Sequence, residues 1–268
     1  MNLFHSIRRT AFAAGLALCF AVGPAAFAQM PAPPPKSAIV LAVEAALANP
    51  IRTPEERARD MPERRPAQTL EFMGLTPEMT VLELFPSGGW YTKILGSVLN
   101  DKGKLYIAPT NPAFLAKLKE WNLGKVEMLD MKMQLKPTTQ FGVFQSETVE
   151  MPANSVDMVL TFRNFHNMDV ATRTKLNKAV FAGLKAGGIY GIVDHTRRHM
   201  EPNSLENWRR ADPVEVIKEA LDAGFIFDGY STLHYRPDDE LKYDSQRKSI
   251  AGYSDRFTFR FKKPANAK

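Results

Sequence analysis

Residues 80–99, TVLELFPSGGWYTKILGSVL, constrain the fold more than any other stretch of the chain. Val81, Leu82 and Leu84 make an apolar run of strand length, and Glu83 places an acid near its end. Ser87, Gly88 and Gly89 supply a turn, and residues 90–99 continue as a helix. Strand, glycine turn and helix in that order form the first βα unit of an α/β domain. There the glycines let the backbone approach a ligand and the helix N-terminus faces it.

The rest of the chain extends the pattern. Further strands are expected at residues 104–108, 156–162, 189–194, 225–230 and 257–262, after a first strand at 80–85. The third strand falls at either 126–129 or 142–144. Helices are expected at 112–121, at 170–184 with a stop at Gly187-Gly188, and at 213–223 with a stop at Gly224. Near-continuous apolar strands separated by helices predict a mostly parallel sheet covered on both faces.

The N-terminus reads as a secretory signal peptide over residues 1–28. Arg8 and Arg9 form the positive region, 10–22 the apolar region, and Ala26-Phe27-Ala28 the cleavage site before Gln29. The apolar run is too short for the ~20 residues of a bilayer-spanning helix, so no stable membrane insertion is expected after cleavage. Arg8-Arg9 leaves twin-arginine export open beside general secretion, and the expected location is periplasmic or secreted. Cys19, the only cysteine, lies inside the signal, and Leu18 before it is too large for a lipoprotein box. The mature chain therefore has no disulfide, thiol nucleophile or cysteine-ligated zinc. Losing Arg8 and Arg9 leaves 33 basic against 29 acidic residues, a net of +4. That charge is spread without a long basic run, which argues against nucleic acid as a partner.

The expected organisation is signal peptide 1–28, Pro-rich linker 29–36, N-terminal helical extension 37–75, α/β domain 76–263 and tail 264–268. In the extension, Ser37 caps a helix over 38–48, and Thr53-Pro54-Glu55-Glu56 is a capping-box start. Pro66 opens a helix that stops at Gly74.

Three signatures together resemble class I S-adenosylmethionine-dependent methyltransferases over about residues 76–263: the Glu83-to-Gly89 loop, MPANSVD at 151–157, and LKAGG at 184–188. More narrowly, PSGGWYTKIL, RNFHNM, RARDMPERRPAQTLEF and SDRFTFRFKKP resemble a group of bacterial predicted methyltransferases that often carry signal peptides. The resemblance implies a Rossmann-like seven-stranded sheet with strand 7 antiparallel between strands 5 and 6. It implies S-adenosylmethionine as cofactor and methyl transfer to a small molecule.

It also implies site residues. Glu83, Phe85, Ser87, Gly88 and Gly89 would form the cofactor loop, although Phe85 and Ser87 stand where the family has glycines. The family's ribose-binding acid is missing after strand 2, where Thr110 or Asn111 is the nearest polar substitute. Glu147 aligns with an adenine contact, and Arg163 completes the cofactor set. His166 is the candidate general base, with Tyr91 second and Asn164 orienting the substrate. Asn167, Asp194 and His195 share that sheet edge as substrate residues. Arg64 and Arg65 are expected to meet an anionic substrate, whereas Arg57 and Arg59 read as a solvated, salt-bridged helix face. No ligand spacing supports a metal site. Ser87 lacks the flanking glycines of a hydrolase nucleophile elbow. The filled glycine positions and the missing acid keep a second reading open, a non-catalytic envelope binding domain on the same fold.

Overall fold

The computed structural model describes residues 35–267 apart from Thr110. The signal peptide, most of the Pro-rich linker and Thr110 lie outside the described residues.

The sheet strands are β1 (Thr80–Leu84), β2 (Lys104–Ala108), β3 (Glu127–Met128), β4 (Val156–Phe162), β5 (Leu184–His195), β6 (Ile226–Tyr230) and β7 (Arg256–Lys262). They run in the order β6-β7-β5-β4-β1-β2-β3. β1 to β5 are mutually parallel, and β7 pairs antiparallel with both β5 and β6. The period of two splits each buried strand between two cores. Val81, Met158 and Leu160 face one apolar cluster, and Leu82, Leu84 and Val159 face the other. Both faces are therefore covered, as a parallel sheet requires.

The first core is closed by helices α1 (Ala38–Leu47), α3 (Pro66–Met73) and α4 (Trp90–Val98). Helices α6 (Val170–Gly183) and α7 (Pro213–Asp222) cover the second. Helix α5 (Pro112–Glu120) follows β2, and the short α2 (Pro54–Arg57) begins at the expected Thr53–Glu56 capping box. Ser37 Oγ accepts from Val40 N at the start of α1, and Gly74 (φ 78°) ends α3. Leu82 and Leu84 are fully buried; truncating either to alanine costs roughly 2–5 kcal/mol.

The boundaries differ from expectation in two places. α6 stops at Gly183, not at Gly187-Gly188, and β5 begins at Leu184. A side chain at position 183 would collide with Met151, which packs against the helix end. LKAGG instead forms the first, bulged part of β5, with a register shift against β4 between Val156 and Met158. The alternative third strand at 142–144 is also resolved. β3 lies within 126–129, whereas Phe144 belongs to a small arm of two-residue ladders between β3 and β4.

The N-terminal extension is bound to the far end of the chain. Arg256 Nη1 donates to Glu63 O at 2.6 Å. His234 Nε2 donates to Arg64 O at 2.9 Å while its Nδ1 accepts from Thr258 Oγ1 at 2.7 Å. Burial drives the His234 pKa down to about 4, so the ring is a neutral clamp. The segment Asp60–Arg64, a turn kinked at the extended residue Met61 (φ −133°, ψ 137°), is thereby held over the C-terminal edge of the sheet. Parallel α/β sheets bind ligands at this edge.

Candidate active site

Three adjoining cavities open along the C-terminal ends of β1 and β4. The first, about 290 Å³, is lined by Glu56, Arg64, Glu83, Phe85, Ser87, Gly88, Tyr91 and Arg163 among others. The second, about 140 Å³, is mostly apolar, between Phe85, Leu135, Phe144, Asn167 and Met168. The third, about 240 Å³, holds Arg59, Arg163, His166, His195, Arg209 and Gln246. Asn164 lines all three. Phe85 lines the first two, and Ser87 lines the first and third.

The loop after β1 carries an unusual backbone. Phe85 (φ 53°), Ser87 (φ 51°) and Gly89 (φ 83°) are all left-handed. Phe85 and Ser87 thus adopt a conformation that glycine takes freely and other residues take at a cost. Arg163 (φ 64°), just past β4, does the same. Non-glycine residues held this way concentrate at ligand sites, and here all three line the cleft. Gly89 corrects an expectation. It does not line the cleft, because a side chain there would meet Trp121 at 2.6 Å. It is a packing glycine, whereas a side chain at Gly88 would stand in open space.

Glu83 is buried on the first-core face, and its Oε2 accepts from Thr92 Oγ1 at 2.6 Å. Burial pushes its pKa up to about 7, against the pull of Thr92 and Arg64. Arg64 is 5% exposed, packs 4.2 Å over the Trp90 ring, and its Nε has no hydrogen-bond partner. Burial and neighbouring Arg163 lower its pKa to about 9, which leaves it charged at neutral pH.

At the third cavity, the fully buried Asp194 organises the histidines. A carboxylate only accepts, so His166 Nδ1–H donates to Asp194 Oδ1 at 2.6 Å. The backbone N–H groups of His166 and His195 donate to the same carboxylate at 3.1 and 2.7 Å. His166 Nε2 is left without a protein partner among the described residues. His195 bonds Ser254 Oγ through Nδ1 at 2.8 Å, and burial with Arg256 nearby holds its pKa well below the ordinary value. It is a neutral wall residue.

Other candidates take different places. Tyr91 is buried, stacked on Phe162 at 3.5 Å between centroids, and its phenol is pushed up to about 12. It keeps its proton at neutral pH and is a wall, not the second base expected. The Asn164 amide donates to Leu84 O, Thr161 Oγ1 and Phe162 O, which pins the end of β4 to β1. Asn111 caps α5 through Phe114 N and lines none of the three cavities. Glu147 is corrected: its side chain is 85% exposed on the arm, paired with Lys136 and away from the cleft. Arg65 is likewise outside the cleft, since its left-handed backbone (φ 42°) starts α3 instead. Arg57 donates to Leu47 O and Asn49 O behind α1.

Sequence reasoning missed Glu56, Arg209 and Gln246; Arg59 makes the expected salt bridge, to Glu63 at 3.3 Å, and also lines the first and third cavities. Glu56 looked fully explained by its capping box, yet it also binds Lys93 at 3.0 Å and lines the first cavity.

The strand order and β7 direction are those of the class I S-adenosylmethionine-dependent methyltransferase fold. A SAM-dependent methyltransferase from Aquifex aeolicus matches with a TM-score of 0.52 at 19% identity, over 78% of this chain and 97% of that one. The (4+2)-cyclase SpnF matches with a TM-score of 0.52 at 13% identity, over 84% of this chain and 94% of its own. This fold therefore carries more than one kind of reaction, and the site must argue the chemistry. No protein-family model and no curated protein sequence matches the chain.

The lining residues fit S-adenosylmethionine at both ends. The buried Arg64 guanidinium suits the ligand carboxylate, and Glu83 suits its ammonium. The apolar slot beside Phe85 and Met168, with the Asn167 amide, suits a flat base. The ribose is served less well, because β2 ends in Ala108-Pro109 with no carboxylate lining the slot.

Proposed function

We propose that this protein is an exported S-adenosylmethionine-dependent methyltransferase acting on a small molecule. One observation carries the reading: the left-handed residues Phe85 and Ser87 line a cleft running from Glu83 and Gly88 to His166. A retained fold that had lost its site would have no reason to keep two strained residues there.

When bound, the cofactor supplies an electrophilic methyl group on a sulfonium sulfur. Glu83, Arg64, Ser87 and Gly88 would hold its amino-acid end, and Phe85, Met168 and Asn167 its base. The chain's own contribution is positioning: two reactants held at neighbouring cavities meet without a diffusional encounter. Asp194 fixes the His166 ring so that Nε2 accepts the proton of the acceptor group. An acceptor held at His166 would then be placed to receive that methyl group, with its displaced proton taken by Nε2. Arg64 and Arg163 line the junction, with Tyr91 and Phe162 behind them.

The missing carboxylate after β2 favours a second reading, a binding domain that holds a related nucleoside without turnover. Calorimetric titration of the intact protein with S-adenosylhomocysteine tests the cofactor site that both readings use. Saturable micromolar binding supports the site, and no heat at high micromolar ligand overturns it. Transfer of labelled methyl to an acceptor then separates enzyme from binder.

A further inference from the structure

The third cavity holds more positive charge than its surroundings neutralise. Glu63 is shared by four guanidinium groups: Arg59 at 3.3 Å, Arg256 at 3.2 Å, Arg163 at 3.6 Å and Arg64 at 3.8 Å. One carboxylate thus faces four cations. Arg59, Arg163 and Arg209 all line the third cavity, and no Asp or Glu does. Arg209 is paired with Asp244 and lies 4.0 Å over the Trp208 ring, which fixes its plane. Arg163 makes no side-chain hydrogen bond among the described residues, and its left-handed backbone turns the chain at the cavity wall. Burial and Arg59 disfavour its charge, and the carboxylates of Glu63 and Asp194 offset this only in part. The Arg163 side chain is 23% exposed at the cavity, and a planar fork with free donors matches a carboxylate or phosphate.

We propose that the third cavity binds a small organic anion, its carboxylate or phosphate held by Arg163 between Arg59 and Arg209, and that this anion is the methyl acceptor. With its charged end there, a hydroxyl or amine on the same molecule faces His166 Nε2 and gives it the proton that methylation displaces. The role as acceptor rests on the methyltransferase reading; the anion site itself does not.

The test is thermal unfolding of the intact protein with inorganic phosphate, against sodium chloride at equal ionic strength. A ligand that binds only the folded state raises Tm by mass action. Millimolar phosphate should raise Tm by a few degrees beyond chloride. Arg163→Gln should lose that increment while its Tm without phosphate stays level or rises, because a crowded cation has gone. A structural salt-bridge role would instead lower the starting Tm. Arg209→Gln should shrink the increment, and Arg163→Lys, which keeps the charge but loses the planar fork, should shrink it too. Should Arg163→Gln fail to fold, these two variants decide. Equal shifts with phosphate and chloride, or an increment untouched in the variants, would overturn the proposal. The measurement contains no cofactor, so failure of S-adenosylhomocysteine to bind would remove the acceptor role and leave the anion site standing.

Discussion

Asp194 Oδ1 lies 2.6 Å from His166 Nδ1 and also accepts the backbone N–H of His195. The carboxylate therefore fixes both the tautomer and the direction of the imidazole, and Nε2 is the only atom of that ring free to take a proton from a substrate. His166→Gln is expected to lower methyl transfer by roughly 100- to 10,000-fold while leaving S-adenosylhomocysteine affinity unchanged. Single-turnover rates beside calorimetry separate the two. Equal losses of rate and affinity would place His166 in cofactor binding instead.

Ser87 is exposed and carries φ 51°. Ser87→Gly removes the left-handed penalty of ~1–2 kcal/mol and adds back part of it as chain entropy, for a net gain of roughly 0.5–1 kcal/mol. Urea unfolding reads this as a higher midpoint at unchanged slope. A loss of stability would mean that the serine side chain makes a contact worth more than the backbone strain.

Glu83 has an ordinary pKa of 4.5 when unfolded and about 7 when folded. Between those values the folded state holds the extra proton, so the contribution of Glu83 to stability falls as pH rises, by about 3 kcal/mol in total. Glu83→Gln should match the parent near pH 4 and exceed it in stability at pH 8. Parallel stability curves for the two proteins would contradict the buried, unneutralised carboxyl.

His234 has the opposite sign. Its pKa falls from 6.5 unfolded to about 4 folded. Its clamp on Arg64 is fully effective above pH 6.5 and is lost as pH falls toward 4, a change of about 3 kcal/mol. His234→Gln, whose amide can still donate to Arg64 O, should flatten this acid limb. Because Glu83 and His234 oppose each other between pH 4.5 and 6.5, the reading is each variant's difference from the parent.

How much of this was legible beforehand depends on what kind of signal each residue carries. The strands β2 and β4 ended where their apolar runs end, and Gly74 stopped α3 where it was expected. The end of α6 was misplaced because Gly183 and Gly187-Gly188 are equivalent stops locally, and only Met151, packed from a distant turn, distinguishes them. Phe85 and Ser87 looked like damage to a glycine loop. A dihedral angle cannot be read from residue identity, and the structure shows these side chains on the backbone that glycines would have had. Arg209 and Gln246 carry no periodic or motif signal, and Arg59, though inside the RARDMPERRPAQTLEF motif, has nothing in its spacing that points to the cleft. They meet because the N-terminal turn, the loop after β5 and the loop before β7 fold over the same edge.

Arg59, Arg64 and Arg163 line the first cavity against Glu56 and Glu83, and Glu83, with a pKa of about 7, carries only part of its charge at neutral pH, so a sulfonium meets a net positive wall. S-adenosylhomocysteine should therefore bind more tightly than S-adenosylmethionine, and bound phosphate should narrow the gap by roughly 10-fold, within the usual range of coupling between sites. Paired calorimetric titrations with and without phosphate measure it. An unchanged ratio would mean that the third cavity and the cofactor site are electrostatically independent.

The most direct measurement is a crystal structure of the protein with S-adenosylhomocysteine. The expected result is the ligand carboxylate on the Arg64 guanidinium, its base in the slot beside Phe85 and Met168, and its sulfur turned toward the His166 side of the cleft. A ligand bound elsewhere, or a Phe85 side chain closed across the first cavity with no ligand in it, would contradict the account.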